Sequence, residues 1–227
     1  FGLAMFSAGC GLITLFSLPT NFWVVEVAQQ KLALDLPQLT QNMPLATLIK
    51  MAGIFTLTAG IAGLYYMNKC YQIKARPFWN HLQTATSFAG NSLSLGALVS
   101  GVIVVSTLLV QQQSINQALT IFSSVFVIGM LIEGIGLVVH NYQLNRNEDE
   151  GGAAHYVQCT TFGKSYLLRN YLLAFNIVAS ITLLTLQLLN VIDSNLLLMW
   201  LVFALINCFT AVIGRALFYI LVIPTTM

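Results

Sequence analysis

Two ionisable residues stand inside apolar runs: Glu133 in GMLIEGIGLVVH and Arg215 in AVIGRALFY. A charge deep in hydrocarbon costs about 2.5–3.5 kcal/mol on an insertion scale unless it is paired or hydrated. Two solutions are open: Glu133 and Arg215 pair, or Arg215 snorkels to the surface. His140 follows Glu133 by seven residues and shares its helical face. The resulting polar column is either an interhelical clamp or a path for protons, and intramembrane ionisable groups are functional candidates by default. Arg76, Trp79 and His81 lie between two apolar runs, Asn91 near the start of the second, and Tyr219 close to Arg215.

The elements that must position these residues are long apolar helices. Of 227 residues, 57% are hydrophobic and 7% charged, against about 25% charged in soluble domains. Lipid must therefore cover much of the surface. Six runs approach or exceed the ~20 residues that span hydrocarbon: Phe1–Leu18, Ala46–Met67, Ser87–Val110, Ala118–Val139, Tyr166–Leu189 and Leu196–Ile223. The fold class is all-α, a polytopic transmembrane helix bundle of about six spans. Residues 1–227 form one transmembrane helical domain, expected to be trimmed at both ends because it starts inside an apolar run and stops just after another. Each run is too long for a barrel strand. Gly53, Gly60, Gly63, Gly96, Gly101, Gly129, Gly134 and Gly136 lie inside the spans, where small residues let helices approach. Pro19–Pro44 reads as an interfacial segment, and Asn145–Gly152 (NRNEDEGG) as an aqueous loop.

Alternating the six spans puts the N-terminus, the second-to-third loop, the fourth-to-fifth loop and the C-terminus on one side, face A. Lys69, Lys74, Arg76, Arg146, Lys164, Arg169 and Arg215 fall there, as do His81, His140 and His155; only Lys31 and Lys50 fall toward face B. Either face A is cytoplasmic by the positive-inside rule, or it docks a partner or binds an anionic or quinoid ligand; the two are compatible.

Several chemistries find no residues. No histidine sits in the middle of a span, so no haem is expected. The four cysteines, Cys10, Cys70, Cys159 and Cys208, form no C-x-x-C pair, so no metal site is expected. The net charge of +2 gives no reason for a nucleic-acid partner. None of the five prolines interrupts the centre of a span, which weighs against a transporter with broken helices. Small-molecule or ion transport, and a purely structural anchor, stay as alternatives.

The last helix reads Ile213-Gly214-Arg215-Ala216-Leu217-Phe218-Tyr219, and Arg76-Pro77-Phe78 is followed after twelve residues by Asn91. In these two stretches the chain resembles the membrane-anchor subunit of dimethyl sulfoxide reductase-type molybdopterin oxidoreductase complexes. The resemblance implies a haem-free anchor in the prokaryotic inner membrane, commonly of eight helices. Such an anchor holds an iron–sulfur electron-transfer subunit and, through it, a molybdopterin catalytic subunit. It exchanges electrons with menaquinone or ubiquinone at that interface during anaerobic respiration, and carries no catalytic residue of its own. The family's exported members would put face A outside, opposite to the charge rule. Two departures stand out: Asn68-Lys69-Cys70 replace a histidine after the second helix, and Ser92 replaces an acid after Asn91.

A quinone needs an apolar slot for its tail, polar groups at its carbonyls and proton exchange near the surface. On this chain those conditions meet toward face A. The expected quinone-binding set is Arg76, Trp79, Asn91, Glu133, His140, Arg215 and Tyr219. Arg76 and Asn91, which the resemblance covers, would donate to a carbonyl; Trp79 would form an apolar wall; His140 or Glu133 would take the proton. The plainer alternative has Arg76 on a lipid phosphate and Trp79 in the interfacial aromatic belt.

Overall fold

The computed structural model describes residues 2–17, 29, 44–74, 78–144, 150–189 and 196–220. The described residues form seven helices: α1 (Gly2–Ser17), α2 (Leu45–Tyr71), α3 (Leu82–Val110), α4 (Asn116–Leu144), α5 (Glu150–Thr160), α6 (Gly163–Leu188) and α7 (Leu196–Ile220). Five of them, α2, α3, α4, α6 and α7, are long and apolar enough to cross a membrane. At 16 residues α1 is shorter. Only Gln29 and Pro44 of the interfacial segment 19–44 are described.

The chain divides into two compact units, Phe1–Cys70 and Tyr71–Met227. In the first, Gly9 of α1 lies so close to Thr56 of α2 that a Cβ would collide with the threonine Oγ1, and Gly60 faces the Phe6 ring. This is the small-residue packing that lipid favours, because lipid tails give helices no hydrophobic reason to associate.

In the second unit α3 packs on α4, α4 on α6, α6 on α7 and α7 back on α3, closing a four-helix ring, with α5 against α4 and α6. The tightest crossing joins α3 and α4. A Cβ at Gly90 would lie 2.7 Å from the Gly129 carbonyl oxygen, and one at Gly129 would lie 2.6 Å from the Ser94 nitrogen. Gly136 accepts Thr86 in the same way, and Gly101 accepts the Trp200 ring. The packing role expected for the span glycines holds at Gly101, Gly129 and Gly136, whereas Gly53 and Gly96 face open space.

The ring is polarised along its length. Toward face B, Ala97, Leu98, Val105, Leu119, Phe126, Met130, Leu173 and Trp200 form a continuous buried core. At the opposite end the apolar cluster is small, Phe78, Leu144, Ala154 and Leu217, and Glu133, His140, His155, Gln158 and Arg169 are buried around it.

Two features differ from the sequence reading. The helices continue beyond their apolar runs on the polar side: α3 starts at Leu82, five residues before Ser87, and α4 ends at Leu144, five after Val139. Asn91 therefore lies well inside α3. In these extra turns Thr84 and His140 are buried, whereas Asn141, Tyr142 and Gln143 are exposed. The stretch NRNEDEGG is also not wholly loop. Residues 145–149 lie outside the described set, but Glu150, Gly151 and Gly152 open α5. Gly151, Ala154, His155 and Gln158 are the buried face of that helix, at a spacing of three and four residues.

Candidate functional site

The polar end is assembled from the start of α3, the end of α4, α5, the start of α6 and the end of α7. Before α3, the turn 79–81 is fixed by Thr84, whose Oγ1 donates to the Trp79 carbonyl at 2.6 Å and whose N–H donates to the His81 carbonyl at 3.1 Å. This turn lays the Trp79 ring on Phe218 of α7, with centroids 5.3 Å apart and planes at 13°. Trp79 Nε1 donates to the Phe218 carbonyl at 3.1 Å. Tyr71 packs edge-on against Trp79 and Phe218, and its hydroxyl lies 3.1 Å from that of Tyr219. Arg215 stands 4.1 Å above the Phe88 ring, a cation–π contact worth up to about 2 kcal/mol when water is excluded.

Glu133 is 5% exposed and Arg169 3%. The Glu133 carboxylate feels Arg169 most strongly, Arg215 less, and meets the side-chain amide of Asn91. The sequence left open a Glu133–Arg215 pair or a snorkelling Arg215; Arg169, which it did not set against Glu133, exerts the stronger attraction and Arg215 the weaker. The Arg169 guanidinium is oriented by Asn170, whose carbonyl oxygen accepts from Nε at 3.2 Å and from Nη2 at 2.9 Å.

The three histidines converge. The ring of His140 lies 5.7 Å from that of His81 and 5.9 Å from that of His155, edge to face in both cases, with Phe78 5.2 Å away. His155 is held on both sides: Nδ1 lies 3.1 Å from Gln158 Oε1, and Nε2 lies 3.1 Å from Asn141 Oδ1. His140 is 1% exposed, and neither of its ring nitrogens has a hydrogen-bond partner. Leaving a buried polar group unpaired costs roughly 1–3 kcal/mol, so an internal water or a ligand is wanted there. Among the described residues no group of three or more His, Cys, Asp or Glu is placed to hold a metal ion.

Of the seven expected site residues, Trp79, Arg215 and Tyr219 gather in the aromatic cluster of α7, and Asn91 and Glu133 face each other across α3 and α4. His140 stands farther along α4, and Arg76 lies outside the described residues. A cavity of about 10 Å³ is lined by Gln83, Thr84, Ser87, Gln158, Arg169 and Arg215, room for about one water.

The larger space is a groove of about 520 Å³ between α4 and α6. Leu131, Ile135, Val138 and Ile177 make its apolar length, and Asn141, Tyr166 and Asn170 line its polar end. Behind that end stand His155, bonded to Asn141 and 6.1 Å from the Tyr166 ring, and Arg169, bonded to Asn170. The sequence reading missed Asn141, Gln158, Tyr166 and Asn170, and counted Arg169 only among the basic residues of face A. One signal was available for α6: Arg169, Leu173, Asn176 and Ser180 recur at four-, three- and four-residue steps and are all buried.

The family model of the DMSO reductase anchor subunit (DmsC) matches residues 35–221, which is most of the chain. The chain belongs to that family. It is a multi-pass membrane protein of the anchor-subunit type, as the two short motifs implied. The match spans the whole four-helix ring, including Arg76, Asn91 and the Gly-Arg-x-x-Phe-Tyr stretch. No match was found among the curated proteins or among the solved structures.

Proposed function

We propose that this anchor subunit is quinone-reactive. In this reading it holds an iron–sulfur subunit on face A, and through it a molybdopterin catalytic subunit, in the inner membrane of a prokaryote. Quinol gives two electrons to the iron–sulfur partner and two protons to the chain or to water, leaving quinone. The observation that carries the reading is the polarity of the ring. Its buried ionisable groups, Glu133, His140, His155 and Arg169, stand at the end where a quinone head could exchange protons with water, beside a groove of suitable volume and apolar length. The tail would lie along Ile135, Val138 and Ile177, and the head would reach Asn141, Tyr166 and Asn170. Arg76, Asn91 and Glu133 remain proposed members of the same polar surroundings.

The test is made in the assembled complex. Arg76→Ala and Asn170→Ala should lower quinol-driven turnover at least tenfold while an artificial donor to the iron–sulfur subunit still drives full turnover. Equal loss with both donors would mean defective assembly, and unchanged quinol turnover would remove the quinone from this end. Orientation is tested separately. The basic excess of face A puts it on the cytoplasmic side. With the other cysteines replaced by serine, Cys159, which is exposed, should react with an impermeant reagent in permeabilised cells only. Reaction in intact cells would place face A outside.

A further inference from the structure

His140 poses a problem that packing does not solve. It is 1% exposed, carries two unbonded ring nitrogens, and has a second imidazole on each of two sides. A side chain kept only to fill this space would more cheaply be apolar. One neighbour, His155, touches the polar end of the α4–α6 groove through Asn141, a groove-lining residue. The other, His81, stands half-buried at the start of α3, with its own Nε2 unpartnered.

We propose that His155, His140 and His81 form a proton relay from the polar end of the α4–α6 groove to the membrane surface at the start of α3. The relay rests on the quinone-reactive reading above, and adds to it the route by which protons leave. The two electrons of a quinol pass to the iron–sulfur partner. Each of the two protons is taken by His155 through the Asn141 end of the groove, handed to His140, then to His81, and released to water. The relay ends each turnover in its starting state, so no further reactant is required.

The surroundings of each ring suit this task. Both nitrogens of His155 face amide oxygens as placed, an arrangement that serves the protonated ring. Turning either amide by 180° offers an N–H instead and serves the neutral ring, because an amide side chain is a donor at one end and an acceptor at the other. His140 has no such fixed partner, so it can be approached from either side. With ring centroids under 6 Å apart on both flanks, a single bridging water or a ring rotation completes each link. The charged and titratable groups around the array come from every neighbouring element. They are Glu133 on the same helix, Cys159 on α5, Tyr166 and Arg169 on α6, and Arg215 on α7. Glu133 feels the charge of Arg169 most strongly and that of Arg215 next.

The assembled complex is again the test material, with His140→Gln, which keeps polarity and most of the volume, and His140→Ala, which opens a hole. Quinol-driven turnover should fall at least tenfold in both. Artificial-donor turnover and binding of a quinone analogue should be unchanged, and added imidazole should restore a substantial part of the rate in His140→Ala. His81→Gln, at the half-buried end, should slow quinol turnover by a smaller factor and raise its solvent deuterium isotope effect. Full quinol turnover in His140→Gln would overturn the relay and leave the functional reading standing. So would a loss accompanied by lost analogue binding and no imidazole rescue, since that is the mark of a structural role. A wild-type complex that runs on the artificial donor and never on quinol would instead overturn the functional reading, and the relay with it.

Discussion

The two ends of the four-helix ring are held together differently. Toward face B, Trp200 closes on Gly101 and the side chains of Val105, Leu119, Phe126 and Met130 fill the interior. Its buried polar groups are uncharged: Asn176 Nδ2 donates to the Phe203 carbonyl at 3.2 Å, Ser180 Oγ and Trp200 Nε1 are buried without a partner, and Gln187 Nε2 donates to Thr120 Oγ1 at 2.8 Å and to the Asn116 carbonyl at 3.2 Å. Toward face A the interior holds charges, amides and imidazoles, several with atoms that lack partners. Close packing of apolar groups is a main source of helix association in lipid. Buried polar groups at the other end are a weak source of stability, and their presence is better explained by what they do. One end is a plug and the other a workplace, and both are continuous along the same four helices.

Substitutions should separate the two. The largest effect is expected at the charges. Arg169→Met leaves Glu133 without its stronger partner and should cost about 3–5 kcal/mol, read as a fall in folded fraction in a denaturing detergent titration. Combining it with Glu133→Gln should recover most of that loss; if the double substitution is as unstable as the single, the two do not act as a pair. At the plug, Trp200→Ala should cost about 3–4 kcal/mol of stability by opening a large cavity. Quinol turnover per folded complex should stay within twofold of wild type. A tenfold drop in that rate would show that the apolar end takes part in function, and the contrast would fail.

Smaller effects follow. Gly129→Ala, at the α3–α4 crossing, forces two backbones apart and should cost roughly 1–3 kcal/mol. A neutral result would mean that the helices separate easily. Gln187→Leu should cost only about 1 kcal/mol and leave every rate unchanged. At Cys159, burial pushes the thiol above its ordinary range. Thiolate is the reactive form, so the alkylation rate should still be rising at pH values where an unperturbed thiol has levelled off. A plateau at the ordinary thiol pH would contradict this.

The spans were legible because lipid imposes long apolar runs, and the family was legible in two short motifs around Arg76–Asn91 and Gly214–Tyr219. The side on which polar residues gather was readable from Glu133, His140 and Arg215. What escaped were elements whose buried face is not apolar. The buried stripe of α5 is Gly151, Ala154, His155 and Gln158, small and polar residues that no hydrophobic period reveals. Arg169 escaped for a related reason. Three residues after the start of an apolar run at Tyr166, it passes for a charge at the water boundary. It is buried because α6 begins at Gly163 and α5 packs beside it. Which helix faces meet across the ring cannot be read from periodicity alone, so the α4–α6 groove and the meeting of three histidines from three segments needed the fold.

The most direct measurement is photolabelling of the assembled complex with a photoreactive quinone carrying an isoprenoid-like tail, followed by peptide mapping. Label is predicted on peptides containing Val138–Asn141 and Tyr166–Asn170, to be lost on competition with excess quinone. Competable label confined to the face-B segment Leu108–Ile121 would contradict the account.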